Sequence, residues 1–147
     1  MPLIHLAFDV SRRPIVQAFV GVSAPRQQAM VAAGQVVPPA ILGAFLVDTG
    51  ASGTCIDPTT FANLGLMPTG SAHMQTPSTG TALHQCNLYD VSLLVPALAG
   101  APFFLDATPV MESQLRSQGI DGLLGRDVLE KFVLFYNSPQ SGFTLAY

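Results

Sequence analysis

The stretch Ala44–Ser52, AFLVDTGAS, constrains the fold more than any other part of the chain. Its apolar run ends in a single acid, Asp48, which is followed at once by Thr49 and Gly50. A carboxylate at the end of a buried strand is costly unless hydrogen bonds stabilise it. Gly50 allows a tight turn and close backbone approach, and Thr49 offers a hydroxyl that can anchor the turn. We interpret the stretch as a strand that runs into an active-site loop, the alternative being an Asp that only caps its own turn.

The composition indicates one folded domain, residues 1–147, without a nucleic-acid partner. Hydrophobic residues make up 49% of the chain and charged residues only 10%, so it can bury a core and is not disordered. The formal net charge is −3, and Arg12-Arg13 is the only adjacent basic pair, which we interpret as a solvated turn. Nucleic-acid binding needs a basic cluster, and the sequence has none.

The N-terminus and the cysteines favour a cytoplasmic protein. Residues 1–9 lack the basic region and the long apolar region of a signal peptide. The apolar stretch 91–102 is interrupted by Pro and Gly, so no run is long enough to cross a membrane, and no membrane partner is expected. Cys55 and Cys86 are too few for a disulfide framework; one bridge is the alternative to two free thiols, which a reducing compartment favours.

The pattern of apolar and turn residues predicts a mostly β protein with two or three short helices. Residues 23–34 and 57–65 each begin near a Pro and close with a Gly, as short helices do. A third helix, capped by Asp127, precedes a final hairpin. Residues 70–89 are polar and interrupted by the turn 77–80, which predicts another hairpin. The main predicted strands cover residues 3–8, 15–22, 41–47, 54–56, 89–95, 103–105, 108–111, 132–136 and 143–147.

One acid loop supplies only half of a hydrolytic site. Of the nine acidic residues, only Asp48 closes an apolar run and opens a Thr-Gly turn. Hydrolysis of an amide needs one group that takes a proton from water and another that donates a proton to the substrate. Two carboxylates that share one proton can do both. A symmetric dimer would bring a second Asp48 to the two-fold axis, and the low charge and apolar termini fit such an interface.

Two motifs, in this order, resemble those of retropepsin-type aspartic proteases. Residues 45–52, FLVDTGAS, are similar to the active-site motif of that family. Residues 120–129, IDGLLGRDVL, are similar to its second signature, and the predicted hairpin lies between the two motifs as the family's flap does. The chain is therefore identified as a retropepsin-like, single-domain aspartic protease of a bacterial branch.

The resemblance implies a closed, mostly antiparallel β-barrel of the acid protease type and an obligate homodimer. It also implies an endopeptidase that hydrolyses peptide or protein substrates with an Asp-activated water, without metal or cofactor. Asp48 of each protomer would bind that water. Thr49 would join the two loops by hydrogen bonds across the axis. Gly50 would let the substrate backbone approach, and Ala51 belongs to the same loop.

Two further groups of residues receive roles from the resemblance. A flap would close over an extended substrate through main-chain hydrogen bonds. It would consist of Thr76, Pro77, Ser78, Thr79 and Gly80. A second group would support the active-site loop from beneath. It would consist of Leu123, Leu124, Gly125 and Arg126.

Ser52 departs from the viral members of the family. Those enzymes carry an acid at this position, and the acid meets the Arg of the second motif. Arg126 must therefore find another partner in this chain. The alternatives are a backbone carbonyl and an acid such as Asp9.

Two other signals carry less weight. His73, His84 and Cys86 fall in one predicted hairpin, but their spacing matches no zinc pattern and a fourth ligand is missing, so no metal is expected. Cys55 lies beside the active-site loop. The sequence reveals no His that would activate it as a nucleophile, so we interpret it as a buried small residue.

A second class of function fits the same fold. A retropepsin-like domain could bind peptides or assemble with a partner while being catalytically weak or inactive, because fold does not guarantee activity. The complete Asp-Thr-Gly sequence at residues 48–50 favours the enzyme. A large separation of the two Asp48 carboxylates, or a strictly monomeric protein, would favour the binding domain.

Ala51 leads to a prediction about the pH dependence of activity. Many pepsin-like enzymes have a hydroxyl residue directly after Asp-Thr-Gly, which bonds the outer carboxylate oxygen and favours the ionised carboxylate. Ala51 has no hydroxyl, so we predict that peptide cleavage is fastest at a less acidic pH than in those enzymes. A pH–rate profile of cleavage measures this, and a maximum at about pH 2 would contradict it.

Overall fold

The computed structural model describes residues 1–75 and 80–147. Within these ranges the chain forms ten strands and three helices, with one 3-10 turn at Arg116–Gln118. The strands are β1 (Leu3–Ala7), β2 (Ile15–Val22), β3 (Ile41–Val47), β4 (Cys55–Ile56), β5 (Gly70–Met74), β6 (His84–Val95), β7 (Phe103–Glu112), β8 (Gly122–Leu124), β9 (Val133–Asn137) and β10 (Gly142–Ala146). The helices are α1 (Ala24–Ala32), α2 (Pro58–Asn63) and α3 (Arg126–Leu129).

Six strands close into a β-barrel. Their order is β2-β3-β8-β4-β7-β6, and β6 pairs back with β2, while β5 adds a seventh strand beside β6. The pairs β3–β8 and β4–β7 are parallel, and the other neighbouring pairs around the barrel are antiparallel. The predicted fold class, a closed and mostly antiparallel barrel with short helices, is therefore confirmed.

Side chains that alternate along the strands fill the barrel. On β2, Val16, Ala18 and Val20 are buried, whereas Gln17 between them is exposed. Phe45 on β3 joins the same core. Successive residues of a strand point to opposite faces, so this alternation turns one face of β2 toward the interior.

Both helices predicted in the first half of the chain are present. α1 has Pro25 in its first turn, and the chain leaves it through Gly34 at a φ of +68°. α2 is capped by the side chain of Asp57 and is followed by Gly65 at a φ of +64°. Glycine adopts this left-handed conformation without steric cost, which is why it ends both helices. No helix in the described ranges is long and apolar enough to cross a membrane.

The predicted short strands 103–105 and 108–111 are in fact one strand, β7. The predicted break at residues 106–107 is wrong: the register with β6 shifts there, opposite Ser92, but the strand continues, and it also runs through Pro109 opposite Asp90. On its other side, β7 pairs with β4 only at Met111 and Glu112. Among residues 1–75 and 80–147 no strand pairs with Pro109 on that side, so the N–H that proline lacks is not needed there.

The two ends of the chain form a separate three-stranded sheet. β10 lies between β1 and β9 and is antiparallel to both, as the predicted terminal strand and final hairpin require. One face of this sheet packs against the core through Ile4, Phe143 and Leu145. The opposite face, which we call the outer terminal face, presents three apolar side chains that are more than half exposed: Leu3, Val133 and Phe135.

Phe143 generates a prediction about stability. Its side chain is 0% exposed, and its ring stacks on Phe8 with centroids 6.2 Å apart. Phe143→Ala removes this buried ring and leaves a cavity, so we expect the free energy of unfolding to fall by about 3–5 kcal/mol. Urea denaturation measures the loss. Phe104→Ala is the control: Phe104 is 53% exposed, so this substitution should lower the free energy of unfolding by less than about 1 kcal/mol. Equal losses for the two variants would contradict the role of Phe143 as a core residue.

Candidate active site

Asp48 lies where β3 leaves the barrel and begins a turn; residues 48–54 are called the acid loop below. Asp48 is half-buried, whereas Thr49 and Gly50 are exposed. The amide of Asp48 donates to the carbonyl of Leu124 at 3.0 Å, and its Oδ1 accepts from the amide of Gly50 at 2.9 Å. Within residues 1–75 and 80–147 its Oδ2 accepts no hydrogen bond. The turn-capping bond is therefore present, and it occupies one carboxylate oxygen only.

β8 carries the second motif alongside β3. Leu124 is buried and pairs with Val47 in parallel register, while the half-buried Leu123 packs in a small apolar cluster separate from the main core. Gly125 lies against the acid loop: a Cβ at this position would lie 2.9 Å from the Cα of Gly53. Real Cβ atoms essentially never come so close, so glycine is required here for close approach of two backbones.

Arg126 binds the carbonyl groups of the acid loop. Its Nη1 donates to the carbonyl of Thr49 at 3.0 Å and to the carbonyl of Gly50 at 3.2 Å. Asp9, the other partner considered, accepts instead from the Nε of Arg13 at 2.8 Å. Of the two alternatives for Arg126, the structure shows the backbone carbonyls and not Asp9.

Asp127 is not the helix cap that the sequence predicted. The N-cap of α3 is Gly125, so Asp127 lies inside the first turn. Its carboxylate accepts from the amide of Thr54 at 3.0 Å and from the hydroxyl of Thr54 at 2.8 Å. The Thr54 hydroxyl oxygen in turn accepts from the amide of Gly125 at 3.1 Å. Thr54 is buried, and its polar groups need partners that a carboxylate can supply.

The sequence carried only a weak signal for this contact. Thr54 looked like part of a brief strand, and Asp127 looked like a local cap directly after Gly-Arg. Their pairing joins residues 73 positions apart, which local sequence patterns do not reveal. With Arg126, it fixes the acid loop to the start of α3 at both ends.

Cys55 and Cys86 are both buried and free, so the prediction of free thiols is confirmed and the alternative of one bridge is wrong. Burial, together with smaller contributions from the nearby Cys86, Asp127 and Asp48, raises the pKa of the Cys55 thiol to about 11. A thiol with such a pKa is uncharged at neutral pH and is a poor nucleophile. This agrees with the interpretation of Cys55 as a buried small residue.

The predicted polar hairpin is formed by β5 and β6, which pair from Gly70 opposite Leu88 to Met74 opposite His84. Of the five predicted flap residues, only Gly80 belongs to the described part of the chain; it has a φ of +60°, and its carbonyl accepts from the side chain of Gln75 at 2.7 Å. The remaining four lie outside the described residues: Thr76, Pro77, Ser78 and Thr79. Among the described residues, no three or more His, Cys, Asp or Glu side chains are grouped so that they could hold a metal ion.

Asp57, directly after β4, is a second carboxylate that accepts several backbone hydrogen bonds. Its Oδ1 accepts from the amide of Thr59, which confirms the predicted helix cap. Its Oδ2 accepts from the amides of Leu115 and Arg116, at 2.9 and 3.0 Å, and the sequence did not reveal these bonds. Burial alone would raise the pKa of the Asp57 carboxyl. The hydrogen bonds from Leu115, Thr59 and Arg116 outweigh burial and lower this pKa to about 2.

Comparisons with known proteins support the family that the two motifs indicate. A family model described as aspartyl protease matches residues 41–128, which contain β3, the acid loop and the second motif. Among solved structures, the crystal structure of a retropepsin-like aspartic protease from Rickettsia conorii is similar, with a TM-score of 0.59 and 21% sequence identity. The similarity covers 99% of this chain and 90% of that chain, and at this identity it shows the fold. A search of curated proteins found no significant match.

Asp57 generates a prediction about stability and pH. Its pKa is about 2 in the folded protein, below the ordinary value of 3.8, so ionisation stabilises the fold above pH 3.8 and the stabilisation is lost as the pH falls toward 2. We expect Asp57→Asn to lower the free energy of unfolding by about 2 kcal/mol at neutral pH. The difference from the wild type should shrink between about pH 4 and pH 2.

Urea denaturation at several pH values measures this difference. Asp106→Asn is the matched control, because Asp106 is exposed on β7 and its loss should change stability little at any pH. A difference between Asp57→Asn and the wild type that stays constant from neutral to acid pH would contradict the role given to the Asp57 carboxylate.

Proposed function

Because the chain belongs to the aspartyl protease family, we propose that it is a homodimeric aspartic endopeptidase with one Asp48 in each half of the active site. The observation that carries this proposal is the geometry of the acid loop. The Gly50 amide holds Oδ1 of Asp48, while Oδ2 has no partner in the described part of the chain. One fixed oxygen and one available oxygen suit a carboxylate that must hold and activate a water molecule.

Two copies of Asp48 would divide the chemistry between them. Two carboxylates at a two-fold axis cannot both ionise at close range, so the pair holds one proton. The ionised carboxylate takes a proton from water as the oxygen attacks the peptide carbonyl carbon, and the protonated one donates its proton to the carbonyl oxygen. Collapse of the tetrahedral intermediate breaks the C–N bond, and a carboxyl proton passes to the leaving nitrogen.

The neighbours of Asp48 support this division of roles. Arg126 and the Thr54–Asp127 pair hold the acid loop in one conformation, which pre-organises the carboxylate. The exposed Thr49 would bond the partner's loop across the axis, and the exposed Gly50 would admit the substrate backbone. The β5–β6 hairpin would close over an extended peptide by main-chain hydrogen bonds from the predicted flap residues that join its two strands.

The outer terminal face supports the dimer. Its exposed Leu3 and Val133 flank Ala146 in one cross-strand row, and the exposed Phe135 follows in the next row of that face, beside Thr144. Exposed apolar side chains that share one face of a sheet are typical of an interaction site. A second copy is the partner that the single Asp48 of each chain requires.

Asp48→Asn tests the mechanism. Asn keeps the size of the side chain and an oxygen that can accept from Gly50, but it cannot take a proton from water. We expect cleavage of an unfolded protein substrate to slow by at least about 100-fold, with the same thermal midpoint and oligomeric state as the wild type. Asp106→Asn, a matched change on the barrel surface, should leave the rate unchanged.

Equal rates for Asp48→Asn and the wild type would rule out the proposed mechanism. A wild-type protein that binds unfolded peptides without cleaving them would favour the alternative, a peptide-binding or assembly domain of the same fold.

Phe135→Glu tests the dimer. A charge on the outer terminal face should shift the protein toward monomers in sedimentation velocity, because a carboxylate that is buried without a partner in the dimer interface is costly. Cleavage should fall in parallel and recover as the protein concentration rises, by mass action. Phe104→Glu places the same charge at an exposed Phe of the barrel and should not change the oligomeric state. A Phe135→Glu protein that sediments as the wild type does would show that the subunits meet elsewhere.

A further inference from the structure

The outer terminal face carries a histidine, His5, in the middle of its three cross-strand rows. The strand register places His5 in one row with Thr144 and Phe135. Among the described residues, the rows on either side contain no side chain that ionises; they consist of Leu3, Ala146 and Val133 and of Ala7, Gly142 and Asn137. His5 is therefore the group through which pH can change the charge of this face.

Two contacts hold the imidazole of His5 over the central strand of the terminal sheet. Its Nδ1 and the Oγ1 of Thr144 are hydrogen-bonded at 2.8 Å, and a Cβ at Gly142 would lie 3.7 Å from its Cε1. His5 is exposed, whereas its neighbour Ile4 is buried, as the alternation of side chains along a strand requires. The ring is thus fixed on the outer terminal face although β1 is an edge strand.

The charged side chains around the terminal sheet offer no counter-charge to a protonated His5. None of the ion pairs among the described residues includes it. Asp9, which follows β1, accepts from the Nε of Arg13 at 2.8 Å. Arg12, bonded to the β9–β10 turn, and Lys131, which precedes β9, are cations. A proton on His5 would therefore add an unpaired charge to a face whose other side chains are uncharged.

We propose that His5 makes dimer formation depend on pH, an inference that rests on the proposed dimer across the outer terminal face. Histidine side chains change their charge between about pH 5 and pH 8. In the monomer the exposed ring of His5 can take up a proton. In the dimer the ring is removed from water against an apolar surface, where a charge without a partner is costly. Protonation therefore favours monomers, and the dimer becomes more stable as the pH rises.

Two-fold symmetry doubles the effect of His5. Each dimer contains two copies of it, so association at acidic pH releases up to two protons. By linkage, the dissociation constant of the dimer should fall by up to about 100-fold for each pH unit where the monomer's histidine is protonated, and it should be constant at higher pH. The Asp48 pair acts in the opposite direction, because two carboxylates that meet share a proton and so favour the dimer at acidic pH.

Sedimentation equilibrium of the Asp48→Asn protein between about pH 5 and pH 8 tests this proposal, because the substitution removes the proton that the Asp48 pair would share. We expect the dissociation constant of the dimer to be at least about tenfold higher at pH 5 than at pH 8. His5→Gln in the same background keeps polar atoms that can bond Thr144 but stays uncharged, so its dissociation constant should change by less than about twofold. His73→Gln, the same change on β5, should keep the full pH dependence.

A fixed charge at the same position completes the test. His5→Lys should weaken the dimer at both ends of the pH range, because its ammonium group stays protonated throughout. A His5→Gln protein that keeps the pH dependence, or an Asp48→Asn dimer equally stable at both pH values, would overturn the role of His5 and leave the proposed dimer intact. A protein that stays monomeric at every pH would overturn the dimer and this inference together.

Discussion

The contact of the Gly125 backbone with the backbone of Gly53 is the constraint on which the acid loop depends. It brings the start of α3 so close to the loop that Arg126 reaches two loop carbonyls and Asp127 reaches both donors of Thr54. The polar groups of a loop that leaves a buried strand need such partners, since an unpaired buried group is costly. The loop is thus held by the second motif rather than by its own turn alone.

Much of the fold could be predicted because the signals are local. The alternation along β2, the Pro and Gly that delimit α1 and α2, and the hairpin at the end of the chain each depend on neighbours in sequence. The two motifs then indicated the barrel type. The break predicted at residues 106–107 is the exception: the register of β7 with β6 shifts there, yet the strand continues through it and through Pro109.

The residue types of the candidate site could be predicted from the sequence, but the hydrogen bonds that join distant residues could not. Asp127 was assigned to the nearest helix terminus, whereas it binds a threonine 73 positions away. Asp57 was correctly seen as a cap, but its second oxygen binds amides 58 and 59 positions away. A carboxylate has two oxygens and several lone pairs, so satisfying one of them locally leaves the other to tertiary structure. For Arg126 the sequence left two alternatives, and only the folded chain distinguishes them.

The terminal sheet also affects the order in which the strands pair during folding. β1 and its direct partner β10 lie far apart in the sequence: His5 bonds to Thr144 across 139 positions. Contacts of such separation close a very long loop and form slowly. The barrel contains neither β1 nor β10, so its strands can pair before the terminal sheet forms. The proposed dimer face takes Leu3 from β1 and Val133 and Phe135 from β9, so it is complete only when this long-range pairing has formed.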